Sequence, residues 1–208
     1  MSVRIAILDY GMGNLRSAEK ALEHVGVTAK ISRDPDEVRA ADGVILPGVG
    51  AMPRAMERIR ELGLTELIDE RREAGVPILG ICLGLQLLFG SSSELGGATG
   101  LGLLEGPVAA LRAEGLKVPH IGWSPVRWER DSRLTDGIES ETPFYFVHSF
   151  APLPRPGDLL GSAVYGERFA CAAERGNVFG VQFHPEKSSA AGLRLLANFA
   201  GVCASVPV

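Results

Sequence analysis

Cysteine is scarce in this chain. Only three occur in 208 residues, Cys82, Cys171 and Cys203, at long spacings and with no Cys-x-x-Cys pair. That pattern excludes a disulfide framework and a cysteine zinc site, and it fits a reduced, cytoplasmic setting. Clustered basic residues are missing too. The 21 Lys and Arg are scattered against 25 Asp and Glu, for a formal net charge of −4. A nucleic-acid surface would show a basic face instead. Before Asp9 the only apolar run is Ile5 to Leu8, too short for a secretory signal. One uncharged stretch, Ala74 to Ser93, has the length of a membrane span. Pro77, Gln86 and four glycines divide it into a buried strand, a tight turn and a buried helix, which excludes the span. No linker, repeat or low-complexity stretch interrupts the chain, so a single domain over residues 1–208 is expected.

What is present is apolar material, 46% of the residues, in a repeating order. Val3 to Leu8 reads as a strand buried on both faces. Asp9 to Gly13 is a glycine-rich turn, and Asn14 is placed to cap a helix on which Leu15, Ala18, Leu22 and Val25 recur. Thr28 to Ser32 and Gly43 to Leu46 are further strands. Helical patterns cover Met52 to Arg60 and Leu64 to Glu73, then a strand covers Val76 to Ile81 and a helix Leu83 to Phe89. This alternation predicts an α/β fold with a mainly parallel central sheet flanked by helices. After Gly90 the segments shorten, and Gly106 to Leu111, Trp123 to Trp128, Phe144 to Val147, Leu159 to Tyr165, Phe169 to Ala173 and Val178 to Phe183 read as mostly antiparallel strands. A last helix runs from Ser189 to Cys203.

The sharpest local feature is Gly80-Ile81-Cys82-Leu83-Gly84, where a buried strand meets a helix. It has the Gly-x-nucleophile-x-Gly form of a strand-to-helix elbow. Side chains two residues either side of the nucleophile would collide in so tight a turn. A sulfur at a helix N-terminus is favoured as thiolate, the reactive form. The N–H of Leu83 points to where an oxyanion would form. Cys171 and Cys203 lack such context and read as small core residues.

A cysteine hydrolase also needs a base and a group that orients the base. Among only four histidines, His24, His120, His148 and His184, the last ends an apolar strand and precedes Pro185-Glu186. Proline holds the chain extended there, which lets Glu186 accept the imidazole N–H. The loop Pro47-Gly48-Val49-Gly50 follows another strand end, and its glycines let the N–H of Val49 or of Gly50 serve as a second oxyanion donor.

Gly80-Ile-Cys-Leu-Gly-Leu-Gln86 with Gln182-Phe-His-Pro-Glu186 resembles the class I (triad) glutamine amidotransferases. Asp9 to Ser17, Leu46 to Gly50, Pro119 to Trp123, Phe146 to Ser149 and His184 to Ser188 are similar to the glutaminase subunits of imidazole glycerol phosphate synthases, enzymes of histidine biosynthesis. The resemblance implies the family's three-layer fold and a triad of Cys82, His184 and Glu186. It implies a glutamine pocket touched by Gly48, Gly50, Gln86, His148, Ser149 and Phe150, with no metal and no cofactor. It implies a heterodimer with a (β/α)₈-barrel cyclase subunit that receives the ammonia, with Asn14, Pro119, His120, Gly122, Trp123 and Lys187 near that partner. Two positions depart from the pattern: Phe150 stands where tyrosine is usual, and Ser124-Pro125 where an asparagine follows the Trp. A free-standing cysteine hydrolase for another γ-glutamyl substrate and a non-catalytic binding protein are the alternatives. Asp9 to Ser17 and Pro119 to Trp123 weigh against the first, and the intact Cys82, His184 and Glu186 set against the second.

Overall fold

The computed structural model describes residues 3–205. Its first half alternates as the sequence predicts: β1 (Arg4–Leu8), α1 (Leu15–His24), β2 (Thr28–Ser32), α2 (Pro35–Arg39), β3 (Gly43–Gly48), α3 (Met52–Glu61), α4 (Leu64–Glu73), β4 (Ile78–Cys82) and α5 (Leu83–Leu87). The rest consists of β5 (Phe89–Ser92), β6 (Ala98–Thr99), β7 (Leu104–Ala110), β8 (His120–Trp128), β9 (Thr142–His148), β10 (Phe150–Pro152), β11 (Leu159–Tyr165), β12 (Glu167–Arg175), β13 (Val178–Val181) and α6 (Ser189–Cys203).

Nine strands form one sheet in the order β2-β1-β3-β4-β13-β12-β11-β8-β9. The ladders from β2 through β13 are parallel. Those from β13 to β9 are antiparallel. The sheet is thus mixed, with the antiparallel part in the C-terminal half. Strand β13 is the junction, parallel to β4 and antiparallel to β12. It is shorter than the Val178–Phe183 expected, because the chain turns away from the ladder at Gln182 to place the residues that follow. A second, four-stranded sheet runs β10-β7-β5-β6.

The apolar residues divide by the period of two of a strand. On β1, Ile5 and Ile7 face a core shared with Ala18 and Leu22 of α1 and Leu195, Leu196 and Phe199 of α6. Ala6 and Leu8 face the opposite core, with Met56 and Ile59 of α3 and Leu67 and Ile68 of α4. Each fully buried Leu, Ile or Phe contributes about 1.5–3 kcal/mol, so two such layers hold the parallel strands as a rigid platform.

Three local expectations change. Asn14 occupies the N-cap position of α1, but its φ of −89° and ψ of 61° leave its side chain without a capping bond. Helix α2 was not anticipated, although its signals are ordinary: the Asp34 carboxylate accepts from the N–H groups of Asp36 and Glu37, and Pro35 opens the first turn. Helix α5 ends at Leu87 rather than Phe89, because Phe89 pairs with Leu104 and begins the second sheet.

Candidate active site

Strand β4 delivers Cys82 to the carboxyl edge of the parallel strands, beside Gly48 at the end of β3. Cys82 has φ 55° and ψ −110°, a conformation L-residues rarely adopt. The elbow glycines are required by close approach. A Cβ on Gly80 would lie 2.6 Å from the Gly84 carbonyl carbon and oxygen, and one on Gly84 only 1.6 Å from the Leu46 carbonyl oxygen. The following helix spans only Leu83–Leu87, so the dipole expected to favour a thiolate is that of little more than one turn.

The parallel register Gly180↔Gly80 and Val181↔Ile81 brings the chain after β13 level with the elbow. His184 Nδ1 lies 2.8 Å from Glu186 Oε1, and both side chains are about 95% buried (5% and 4% exposed). With Nδ1 held by the carboxylate, Nε2 is the nitrogen left for the sulfur. Burial disfavours the imidazolium, but hydrogen bonds to the Cys82 sulfur and to Glu186, together with their charges, outweigh it and hold His184 at about 9. The turn is pinned by Ser188, whose hydroxyl donates to the His184 carbonyl at 2.7 Å and accepts the Tyr145 N–H at 3.0 Å. The His184 N–H donates to the Tyr145 carbonyl at 2.9 Å.

The sulfur has two further neighbours. Cys82 Sγ lies 3.7 Å from the Val147 carbonyl oxygen, which can accept the thiol hydrogen, and 3.7 Å from Gln182 Nε2. His148 stands close by. Burial outweighs its hydrogen bond to the Phe150 carbonyl and, with the charges of His120 and His184, lowers it to about 4. It therefore stays neutral near the charged imidazole of His184.

A cavity of about 290 Å³ opens over the sulfur. Of the residues expected to form the site, it brings together Cys82, His184, Val49, Gly50, Leu83, Gln86, His148, Ser149 and Phe150, and also Pro119 and Lys187. Gly48 lies beneath it, packed so closely that a Cβ would sit 2.3 Å from the Tyr10 hydroxyl. Asn14 lines a much smaller space behind Glu186 and His184, next to Pro47 and Val49. Trp123 is half-exposed on β8, whereas His120 turns inward and is buried.

The profile of the family described as Glutamine amidotransferase class-I matches residues 6–202. The chain belongs to the class-I glutamine amidotransferase family. It is 55% identical to imidazole glycerol phosphate synthase subunit HisH of Moorella thermoacetica over 94% of this chain and 93% of that protein. It is 48% identical to the subunit of the same name from Methanosarcina barkeri, over 96% and 99% of the two chains. A solved structure of PurLQS from Thermotoga maritima superposes with a TM-score of 0.75 at 22% identity, covering 97% of this chain and 99% of that one, a likeness of fold.

For an amidotransferase, three residues near the sulfur carry no role in the sequence reading. Glu94 lines the pocket, and its carboxylate accepts the Met52 N–H at 2.8 Å, capping α3 from 42 residues away. No local signal announces that contact. Gln182 and Ser188 sit inside the Gln-Phe-His-Pro-Glu-Lys-Ser segment, so the signal was the motif itself. The pocket thus combines a strained cysteine, a histidine hydrogen-bonded to a carboxylate, and one charged side chain of each sign, Glu94 and Lys187. That set can attack an acyl carbon and hold a small zwitterion.

Proposed function

We propose that this chain, as one domain over residues 1–208, is the glutaminase of an imidazole glycerol phosphate synthase. It hydrolyses glutamine to glutamate and ammonia and supplies the ammonia to a cyclase subunit in histidine biosynthesis. The observation that carries this reading is Cys82, strained at its elbow, lining one pocket with a His184 that Glu186 orients. Relatives named for that subunit match over nearly the full chain and support it.

Cys82 Sγ, its proton passed to His184 Nε2, attacks the γ-amide carbon of glutamine. The carbonyl π electrons move onto oxygen, which takes hydrogen bonds from the Leu83 N–H and from that of Val49 or Gly50. The oxyanion collapses, the C–N bond breaks, and His184 gives its proton to the leaving nitrogen, so ammonia departs and a thioester remains. Water then loses a proton to His184 and attacks the thioester carbon. Collapse of the second oxyanion breaks the C–S bond and yields glutamate. The reading assigns Gln86, His148, Ser149 and Phe150 to the walls around the substrate and Glu94 to its ammonium group. It needs no metal or cofactor.

The partner in this reading is a (β/α)₈-barrel cyclase, bound as a heterodimer in the cytoplasm. Val49 at the pocket and Ile121 and Trp123 on β8 leave large apolar side chains in solvent at 44, 59 and 50% exposure, which supports a docking role for these segments. Asn14, Pro119, Gly122 and Lys187 belong to the same proposed region. Among the described residues no helix is long and apolar enough to cross a membrane.

The test measures glutamate release with and without the cyclase subunit and its nucleotide substrate. Slow hydrolysis by the isolated chain and stimulation by the loaded partner are expected. Full-rate hydrolysis without a partner would point instead to a free-standing hydrolase. Cys82→Ala should abolish glutamine-dependent synthesis in the complex and leave ammonia-dependent synthesis intact. Glutamine turnover surviving that substitution would remove Cys82 from its assigned role.

A further inference from the structure

A buried chain of hydrogen bonds that the proposed reaction does not use converges on the Phe150 carbonyl. That oxygen can only accept. Gln86 faces it at 3.0 Å, so the facing atom is the amide nitrogen Nε2. The other hydrogen of the same nitrogen goes to Gln182, 3.0 Å away, so the facing atom there is Oε1. It follows that Gln182 turns its own nitrogen, Nε2, toward the Cys82 sulfur at 3.7 Å. The neutral side is fixed in the same way. His148 Nδ1 lies 2.9 Å from the Phe150 oxygen and must carry the proton, so His148 Nε2 accepts from His120 Nδ1 at 3.1 Å, and His120 Nε2 accepts from the Ser124 hydroxyl at 3.0 Å. Both lone pairs of the Phe150 carbonyl are engaged. It cannot turn without breaking two bonds, and the direction of every bond in both arms follows from it.

We propose that Gln182 is a catalytic residue of this site: a directed N–H donor to the Cys82 sulfur, with its polarity imposed through Gln86 by the Phe150 carbonyl. Gln182 is wholly buried, so no water competes for its N–H. An N–H facing sulfur gains little from a neutral thiol and much more from a thiolate, because a hydrogen bond to a charged acceptor is about twice as strong. The bond therefore strengthens as His184 takes the proton and again when the C–S bond of the thioester breaks. Gln86 is a positioning residue that acts through Gln182. With both hydrogens of Nε2 committed, it offers a substrate only its own Oε1 as an acceptor. The parallel register of β4 and β13 is what makes the contact possible, since Gln182 and His184 are two residues apart and reach the sulfur from one strand end.

The inference rests on Cys82 being the nucleophile, and its test does not require glutamine. The rate of Cys82 alkylation by iodoacetamide at neutral pH, read at that residue by mass spectrometry, is compared between the unaltered chain and two variants. Gln182→Met keeps the length and removes the N–H, and Gln182→Glu keeps the shape and replaces the N–H by an acceptor. The expected result is a fall of at least about tenfold in Gln182→Met, the loss of one charge-assisted bond, and a larger fall in Gln182→Glu. The kcat for glutamine should fall with it while KM moves far less, a split that a merely structural role would not give. Folded variants alkylated at the unaltered rate overturn the proposal. If neither variant folds, the ¹⁵N-labelled unaltered chain decides. The Gln182 side-chain amide resonances should shift as the Cys82–His184 pair titrates, and should not do so in Cys82→Ala. A Gln182 amide insensitive to that titration overturns the proposal as well. A chain that shows the alkylation effect but hydrolyses no glutamine would sink the glutaminase reading and leave this one standing.

Discussion

Cys82→Gly should leave the protein more stable than Cys82→Ala, the reverse of the usual order. At φ 55° and ψ −110°, an L-residue at position 82 carries conformational strain, about 1–3 kcal/mol for a residue held in a sparsely populated region. Glycine populates the mirror of the extended region freely. Both substitutions remove the sulfur, so both deprive His184 of the same partner, and that loss cancels in the comparison. Against the relief stands the ordinary penalty of Gly relative to Ala, about 0.5–1 kcal/mol. The difference centres on about 1 kcal/mol in favour of glycine. For a chain of this size that is a midpoint about 2–4 °C higher. Calorimetry of the two variants in one buffer, with urea titration as a second measure, reads it directly. An alanine variant more stable than the glycine variant by the ordinary margin would show that the elbow is not strained, and the account of how the sulfur is presented would fall with it.

Gly84→Ala should abolish soluble expression or glutamine hydrolysis, since its Cβ would lie 1.6 Å from the backbone oxygen of Leu46, a group that cannot move without shifting β3; an active, soluble variant would show that this packing is not required. His184 is raised from 6.5 to about 9, so it adds stability below pH 6.5 that is lost as pH climbs through about 9. Denaturant midpoints across that window should fall, and the fall should shrink in Cys82→Ala, where one partner of the imidazolium is gone; equal slopes in the two proteins would separate His184 from Cys82. His148, lowered to about 4, acts with the opposite sign, so stability should decrease as pH drops from 6.5 toward 4, and His148→Gln should flatten that limb of the curve. Ser188→Ala should cost about 1–3 kcal/mol, because it leaves the Tyr145 N–H without its partner and the His184 carbonyl with the Lys187 N–H alone. It should lower kcat more than KM by loosening the base, which steady-state kinetics would detect.

Legibility in the sequence followed the range of each interaction. β1, β3 and β4 could be read because strands covered on both faces are nearly all apolar. The elbow could be read because its glycines answer clashes within five residues. The His184–Glu186 pair could be read because its hydrogen bond closes within three residues, although the chain over Pro185–Lys187 is a 3₁₀ turn and not the extended segment expected. Helix α2 carries its own local signal in Asp34-Pro35, a capping carboxylate followed by a proline in the first turn. What stayed hidden depends on contacts distant in sequence. Phe89 continues the apolar run of α5, and only its pairing with Leu104 makes it a strand residue. Glu94 resembles any loop carboxylate until the pocket places it against the first turn of α3. Gln182 meets Cys82 across 100 positions through a strand register that no local pattern encodes. Asn14 stands at the N-cap as its residue type suggests, and its carbonyl accepts the Ala18 N–H, but its backbone angles keep the side chain from capping.

The contacts on the sulfur pull in opposite directions. The Val147 carbonyl can hold the thiol hydrogen, and it faces the same atom with a partial negative charge once the proton is gone. The Gln182 N–H gains at the moment the carbonyl loses. His184 is held in its charged form by the sulfur and Glu186 against the cost of burial. The Val147 carbonyl and the Gln182 amide thus favour opposite forms of the sulfur. Strand β9 is paired along β8 from His120↔His148 to Val126↔Thr142, at the far edge of the sheet from the helical layers around β1. The exposed Ile121 and Trp123 stand on the strand paired to it. Strand β9 thus carries both the Val147 carbonyl that faces the sulfur and Tyr145, whose N–H and carbonyl hold the turn of Ser188 and His184, so a displacement of this strand pair would reach the sulfur and the imidazole together.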